Sequence, residues 1–144
     1  MSVYADTSLL ISYYISDSHS ASAQALIHAT ADPLPFTGLH LLEMRNALAL
    51  GAFRRILTPA QISSAWSDVE RDLRSGRLVS RPVNWGQVYR AAAEWAALHG
   101  PNIGCRSLDV LHVTLAKKLD VESLFTFDAR QKSLALALGL EVKP

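Results

Sequence analysis

Asp6, Glu43, Asp109 and Asp128 are spread along the chain, each beside an apolar segment. Carboxylates gathered from such distant positions repel one another. Two of them about 5 Å apart do so by about 3 kcal/mol at an effective dielectric of about 20. Either some stay protonated or a cation sits among them. An all-oxygen, acid-rich set suits Mg2+, with Mn2+ as a substitute. Such an ion can activate water and steady the charge on a phosphoryl group under attack. The chemistry that a convergent set points to is phosphodiester hydrolysis without a covalent intermediate.

Each acid also has a structural explanation. Asp6 can cap a first helix, and Asp128 can cap a later one with Gln131 completing a capping box. Asp109 in the first turn of a helix is favourable with the helix dipole. Glu43 is harder to explain in this way. Leu39, Glu43, Asn46 and Leu50 follow helical spacing, so Glu43 and Asn46 interrupt an apolar stripe. A buried carboxylate needs a partner, for which Arg45 and Arg106 are candidates.

The elements that must position these acids are legible in outline. Strands are expected at Ser2–Ala5, Leu34–Thr37, Leu78–Arg81 and Ser123–Phe127, with a short one at Glu141–Val142. Helices are expected at Ser8–Ile15, His19–Thr30 and Leu39–Ala52. Thr58-Pro59-Ala60-Gln61 starts another, with Ile62, Trp66, Val69 and Leu73 on its buried stripe and Gly76 at its end. Asn84 and Gln87 open the next, with Trp85, Val88, Ala92 and Trp95 buried, and Gly100-Pro101 closes it. Ser107 can cap a helix to about Leu119, and Asp128 opens one ending near Gly139. Apolar strands alternating with helices imply an α/β chain with a mainly parallel sheet covered on both faces, a three-layer α/β/α domain. In such sheets, sites lie beyond the carboxyl ends of the strands. Asp6 and Asp128 fall there, and Glu43 lies one to two turns into the helix after the second strand.

Length and composition narrow the rest. The chain has 144 residues, 49% hydrophobic and 19% charged, with formal net charge +1. That fits one domain spanning positions 1–144 with a substantial core. Near-neutral charge neither requires nor excludes nucleic acid. The single cysteine, Cys105, leaves no internal disulfide and fits a reducing, cytoplasmic setting. No signal peptide or membrane span is expected.

Four blocks in this order resemble the PIN-domain nucleases, and in particular the ribonuclease toxins of VapBC-type toxin–antitoxin pairs: "YADTSLLISYY", "LLEMRNALAL", "RSLDVLHVTLAKKL" and "LFTFDARQKSLALALGL". The resemblance covers nearly the whole chain. It implies a divalent-metal site in which Asp6, Glu43 and Asp109 are the central carboxylates and Asp128 a more variable fourth. Ser8 and Thr126 match hydroxyl positions that support the acids or hold water. The implied reaction is hydrolysis of RNA by metal-bound water, leaving a 5′-phosphate and a 3′-hydroxyl. A homodimer and a silencing antitoxin are the implied partners. His112 departs from the family pattern, since many relatives carry an aliphatic residue there.

Other residues invite functional readings. His112, three positions after Asp109, shares its helix face and is expected to be a hydrogen-bonded core histidine. No other histidine forms a metal-spaced pair. Arg45, Arg106, Lys117, Lys118 and Arg130 either line an RNA path or form solvated helix faces. Arg106 is the best single candidate for a phosphate contact. The tryptophans suit core or dimer packing, and Cys105 has no mark of a nucleophile.

Competing functions are weaker. A haloacid-dehalogenase-like phosphatase would carry a second Asp where Ser8 stands, and a receiver-like domain would need adjacent acids near its start. No nucleotide-binding glycine motif is present. The alternative with most support is a PIN-like RNA-binding or adaptor module without catalysis, against which the retention of all four acids weighs.

Overall fold

The alternation of apolar strands and helices is realised in a computed structural model that describes residues 1–144. In chain order the elements are β1 (Val3–Ala5), α1 (Thr7–Tyr14), α2 (Ser20–His28), β2 (Leu34–Phe36), α3 (Gly38–Phe53), α4 (Pro59–Ser75), β3 (Leu78–Ser80), α5 (Trp85–Ile103), α6 (Ser107–Lys118), β4 (Ser123–Phe125), α7 (Ala129–Ala137) and β5 (Glu141–Lys143). Every strand pairing is parallel: β1 with β4, β4 with β5, and β2 with β3.

Successive strand residues point into two different cores, because side chains alternate across a sheet. Val3, Ala5 and Phe125 pack with Leu9 and Leu10 of α1, Ile27 of α2 and Met44 of α3. Tyr4 and Leu124 pack on the other side with Val88 of α5, Val113 and Leu115 of α6 and Leu134 of α7. Helices therefore cover both faces, which is the expected three-layer α/β/α arrangement. No helix is long and apolar enough to cross a membrane.

The sheet has one seam. Leu34 N–H donates to the Arg77 carbonyl at 2.9 Å, and the Phe36 carbonyl accepts from Arg81 N–H at 3.2 Å. Leu34 and Phe36 thus direct their backbone groups toward β3. By alternation Pro35 faces the β1 side, where it has no N–H to give. β1 and β2 lie side by side but form no hydrogen-bonded ladder. The Ala5 carbonyl instead accepts from His40 Nε2 at 2.9 Å, while His40 Nδ1 accepts from Thr37 N–H at 3.0 Å.

Those two bonds place the His40 proton on Nε2. Burial, reinforced by the charge of His112, pushes its pKa down to about 3, against the opposing effects of the Ala5 bond and Glu43. The unfolded chain takes up that proton at about pH 6.5. The stabilisation is therefore complete above pH 6.5 and is lost as pH falls toward the folded value. Denaturant titrations between pH 7 and pH 5 are expected to show stability falling by up to about 1.4 kcal/mol per pH unit. The slope flattens in His40→Gln. A slope that this substitution leaves unchanged would assign it to another group.

The structure corrects three local expectations. Gly100-Pro101 does not close α5, which runs on to Ile103 and ends at Gly104 with φ 73°. Pro101 is exposed and sits in the last turn, so the carbonyl it leaves without a donor, that of exposed Ala97, faces water. Ser107 is the first residue of α6 rather than its cap, a position taken by Arg106. The fourth strand stops at Phe125, which frees Thr126 for a different task.

Candidate functional site

Ala5 and Phe125 are register partners, so the residues that follow them leave the sheet together. Asp6 is 1% exposed. Its N–H donates to the Phe125 carbonyl at 3.0 Å, and its Oδ1 caps α1 by accepting from Leu9 N–H at 2.8 Å. Oδ2 accepts from Thr126 Oγ1 at 2.6 Å, and Ser8 Oγ lies 3.3 Å from both carboxylate oxygens. Burial raises the Asp6 carboxyl above its ordinary range, and the charge of His112 and the bonds from Thr126, Leu9 and Ser8 offset this only in part.

Thr126 passes the connection onward. Its Oγ1 accepts from Asp128 N–H at 3.0 Å, and Asp128 Oδ1 caps α7 through Gln131 N–H at 2.8 Å. The Gln131 side chain does not complete a capping box. Its Nε2 donates to Asp109 Oδ1 at 2.9 Å, because α7 packs beside α6 and places the amide there. Asp6, Thr126, Asp128, Gln131 and Asp109 thus form one bonded chain. Gln131 is 3% exposed, and its Oε1 is the one buried side-chain polar atom without a partner. Asp109 Oδ2 accepts from Arg106 Nε at 3.1 Å; the Arg106 side chain is 79% exposed.

Glu43 is held separately. Its Oε1 accepts from Thr7 Oγ1 at 2.9 Å and from His112 Nε2 at 2.5 Å. Burial alone would raise its carboxyl; the His112 bond and charge, with the Thr7 bond, outweigh that and hold it below the usual range. The partners are therefore neither Arg45, which stacks 3.5 Å over the Trp66 ring, nor Arg106. The buried face of α3 is Leu39, His40, Met44 and Leu48, so Glu43 lies at its edge and Asn46 is exposed. His112 is the buried, hydrogen-bonded histidine expected from its position, with Nδ1 2.7 Å from the Tyr4 hydroxyl. Thr7, Tyr4 and Gln131 were not legible as site residues; Thr7, between Asp6 and Ser8, was the nearest to a signal.

No three His, Cys, Asp or Glu side chains stand close enough together to enclose an ion by themselves. Three of the acids nevertheless share one electrostatic neighbourhood. Arg106 is held in its charged form first by its bond and charge interaction with Asp109, then by Asp128 and Glu43. A buried Asp6 with incomplete compensation, oxygen-only donors and the orphaned Gln131 Oε1 fit a hard cation that keeps several waters in its shell. The other cations do not encircle the site. Lys117 and Lys118 sit at the far end of α6, about 12 Å along its axis from Asp109. Arg130 Nη1 donates to the Gly104 carbonyl at 3.3 Å. The Cys105 thiol donates to the Arg130 carbonyl, and burial, with Asp109 and Asp128, raises its pKa, which keeps it protonated.

The sequence pattern of the family described as PIN domain matches residues 3–136. No curated protein sequence is significantly similar to the chain. Among solved structures, VapC20 of Mycobacterium tuberculosis, described as a sarcin–ricin loop cleaving toxin, is similar with 18% identity and a TM-score of 0.68, over 99% of this chain and 100% of that one. FitAcB from Neisseria gonorrhoeae is similar with 15% identity and a TM-score of 0.64, over 99% and 96% of the two chains. At these identities the likeness is one of fold.

Proposed function

The chain belongs to the PIN domain family, and from that membership we propose that it is a divalent-metal-dependent endoribonuclease, the toxin of a toxin–antitoxin pair. The observation that carries this reading is the bonded chain from Asp6 through Thr126, Asp128 and Gln131 to Asp109. It ties three acids from three different elements to the carboxyl ends of β1 and β4.

In this reading Asp6, Glu43, Asp109 and Asp128 hold Mg2+, or Mn2+ in its place. Bound there, the ion supplies an activated water and offsets the charge that builds on the attacked phosphate. Thr126 and Ser8 keep the Asp6 carboxylate oriented, and Gln131 does the same for Asp109. The exposed guanidinium of Arg106 takes a phosphate oxygen of the RNA. No side chain here acts as a covalent nucleophile.

Membership also supports an antitoxin partner and a homodimer. Leu42 and Phe53 share one face of α3 at 66% and 83% exposure, and Ile56 beyond it is 71% exposed. Apolar side chains exposed to this degree suit a covered surface.

Mapping RNA 5′-phosphate ends tests the proposal. Cells expressing the protein are expected to show new ends at discrete sites. Purified protein is expected to reproduce them with Mg2+ or Mn2+ and to lose at least about 100-fold in rate under chelation. An RNA carrying the sarcin–ricin loop, which VapC20 is described as cleaving, is the first substrate to offer. Identical end profiles with and without soluble, partner-free protein would favour the adaptor reading.

A further inference from the structure

One constellation around the acids has a direction to it. Both donors to Glu43, Thr7 Oγ1 and His112 Nε2, converge on the same oxygen, Oε1. Oε2 has no protein donor, and a quarter of the side chain is open to solvent. The carboxylate can only accept, so Nε2 carries the imidazole proton. In the neutral ring Nδ1 is then the acceptor for the Tyr4 hydroxyl, 2.7 Å away. Tyr4 is fully buried, and its hydroxyl supplies the proton of that bond. The order Tyr4 to His112 to Glu43 is therefore a chain of donors with one exit, at Oε2. It runs from β1 through α6 to α3, and His112 itself is 2% exposed.

We propose that His112, locked by Tyr4, is a positioning residue that seats the Glu43 carboxylate through Oε1 and leaves Oε2 to be offered to a divalent cation. This rests on the metal-site reading above. The physical logic is that of outer partners which orient a ligand: they remove its rotational freedom before the ion arrives. α6 then contributes twice, with Asp109 directly and with His112 through Glu43.

Calorimetric titration of the whole chain with Mn2+ alone, without RNA, tests it. His112→Leu is expected to bind Mn2+ about 10–100-fold more weakly, the range found for lost outer partners. Tyr4→Phe is expected to weaken binding by a smaller factor. His112→Gln, which keeps an N–H near the place of Nε2, should lie closer to wild type than His112→Leu. Excess Mn2+ should restore RNA cleavage in each variant. Metal-free thermal melts establish which variants fold; if His112→Leu does not, the other two decide. Wild-type Mn2+ affinity in folded His112→Leu or Tyr4→Phe would overturn the assignment and leave the metal site standing. A wild-type protein that takes up no Mn2+ would overturn the metal site and this proposal with it.

Discussion

Asp109→Asn protein is expected to cleave RNA at least about 100-fold more slowly than wild type, beyond what the loss of an outer partner alone costs, while keeping its fold. The substitution removes a charge and changes little else. The carbonyl oxygen of the introduced amide would still accept from Gln131 Nε2, the buried partner of Asp109 Oδ1. Arg106, bonded to Oδ2, is largely exposed and turns to water at small cost. What remains is the loss of an acid from the first turn of α6, worth about 0.3–1 kcal/mol. In a chain of this length that lowers Tm by roughly 3 °C at most. Initial rates on labelled RNA, set beside a thermal melt, separate the two effects. Cleavage at the wild-type rate would remove Asp109 from the site, and loss of folding would return it to a purely structural role.

Asp6→Asn should show the opposite split, a more stable protein with no activity. The Asp6 carboxyl is raised by burial. Its folded pKa therefore lies above the unfolded one. The stability linked to its proton is complete below the unfolded value, about pH 3.9, and is lost as pH rises through the folded value. Above its folded value the wild type thus carries an ionised group that its surroundings do not fully compensate. Asn caps a helix about as well as Asp, so the bond from Leu9 survives. A Tm gain of roughly 3 °C at pH 7, about that of 1 kcal/mol in a chain of this size, is expected to vanish near pH 3. Mn2+ should raise the wild-type Tm and leave the variant unmoved. If wild type is the more stable at neutral pH without metal, the Asp6 hydrogen bonds outweigh its burial after all.

What the sequence revealed, and what it withheld, follows the range of the forces involved. The strands and the Thr58–Gln61 capping box are local or periodic features, and the structure has them close to where the pattern places them. Gln131 shows the limit. Its spacing from Asp128 reads as a box, and its backbone N–H does meet the Asp128 side chain. Only the packing of α7 on α6 sends the amide to Asp109 instead. The partner of Glu43 was hidden for the same reason, since Thr7 and His112 are 36 and 69 positions away. Pro101 misled because a proline in an exposed last turn forfeits one bond rather than a helix.

Pro35 has a consequence for motion. The acids bonded through Thr126 and Gln131 belong to the half of the sheet built on β1, β4 and β5. Glu43 rides on α3, behind β2, across the unladdered junction. Beside the apolar core, side-chain bonds from His40 to Ala5 and from Glu43 to His112 and Thr7 span that line near the site. A ladder resists shear along its whole length; at this junction side-chain bonds and the shared apolar core take its place. Amide exchange should accordingly be faster along the β1–β2 junction than in the β1–β4 ladder. An ion that binds all four carboxylates would therefore fasten the two sides of that junction together.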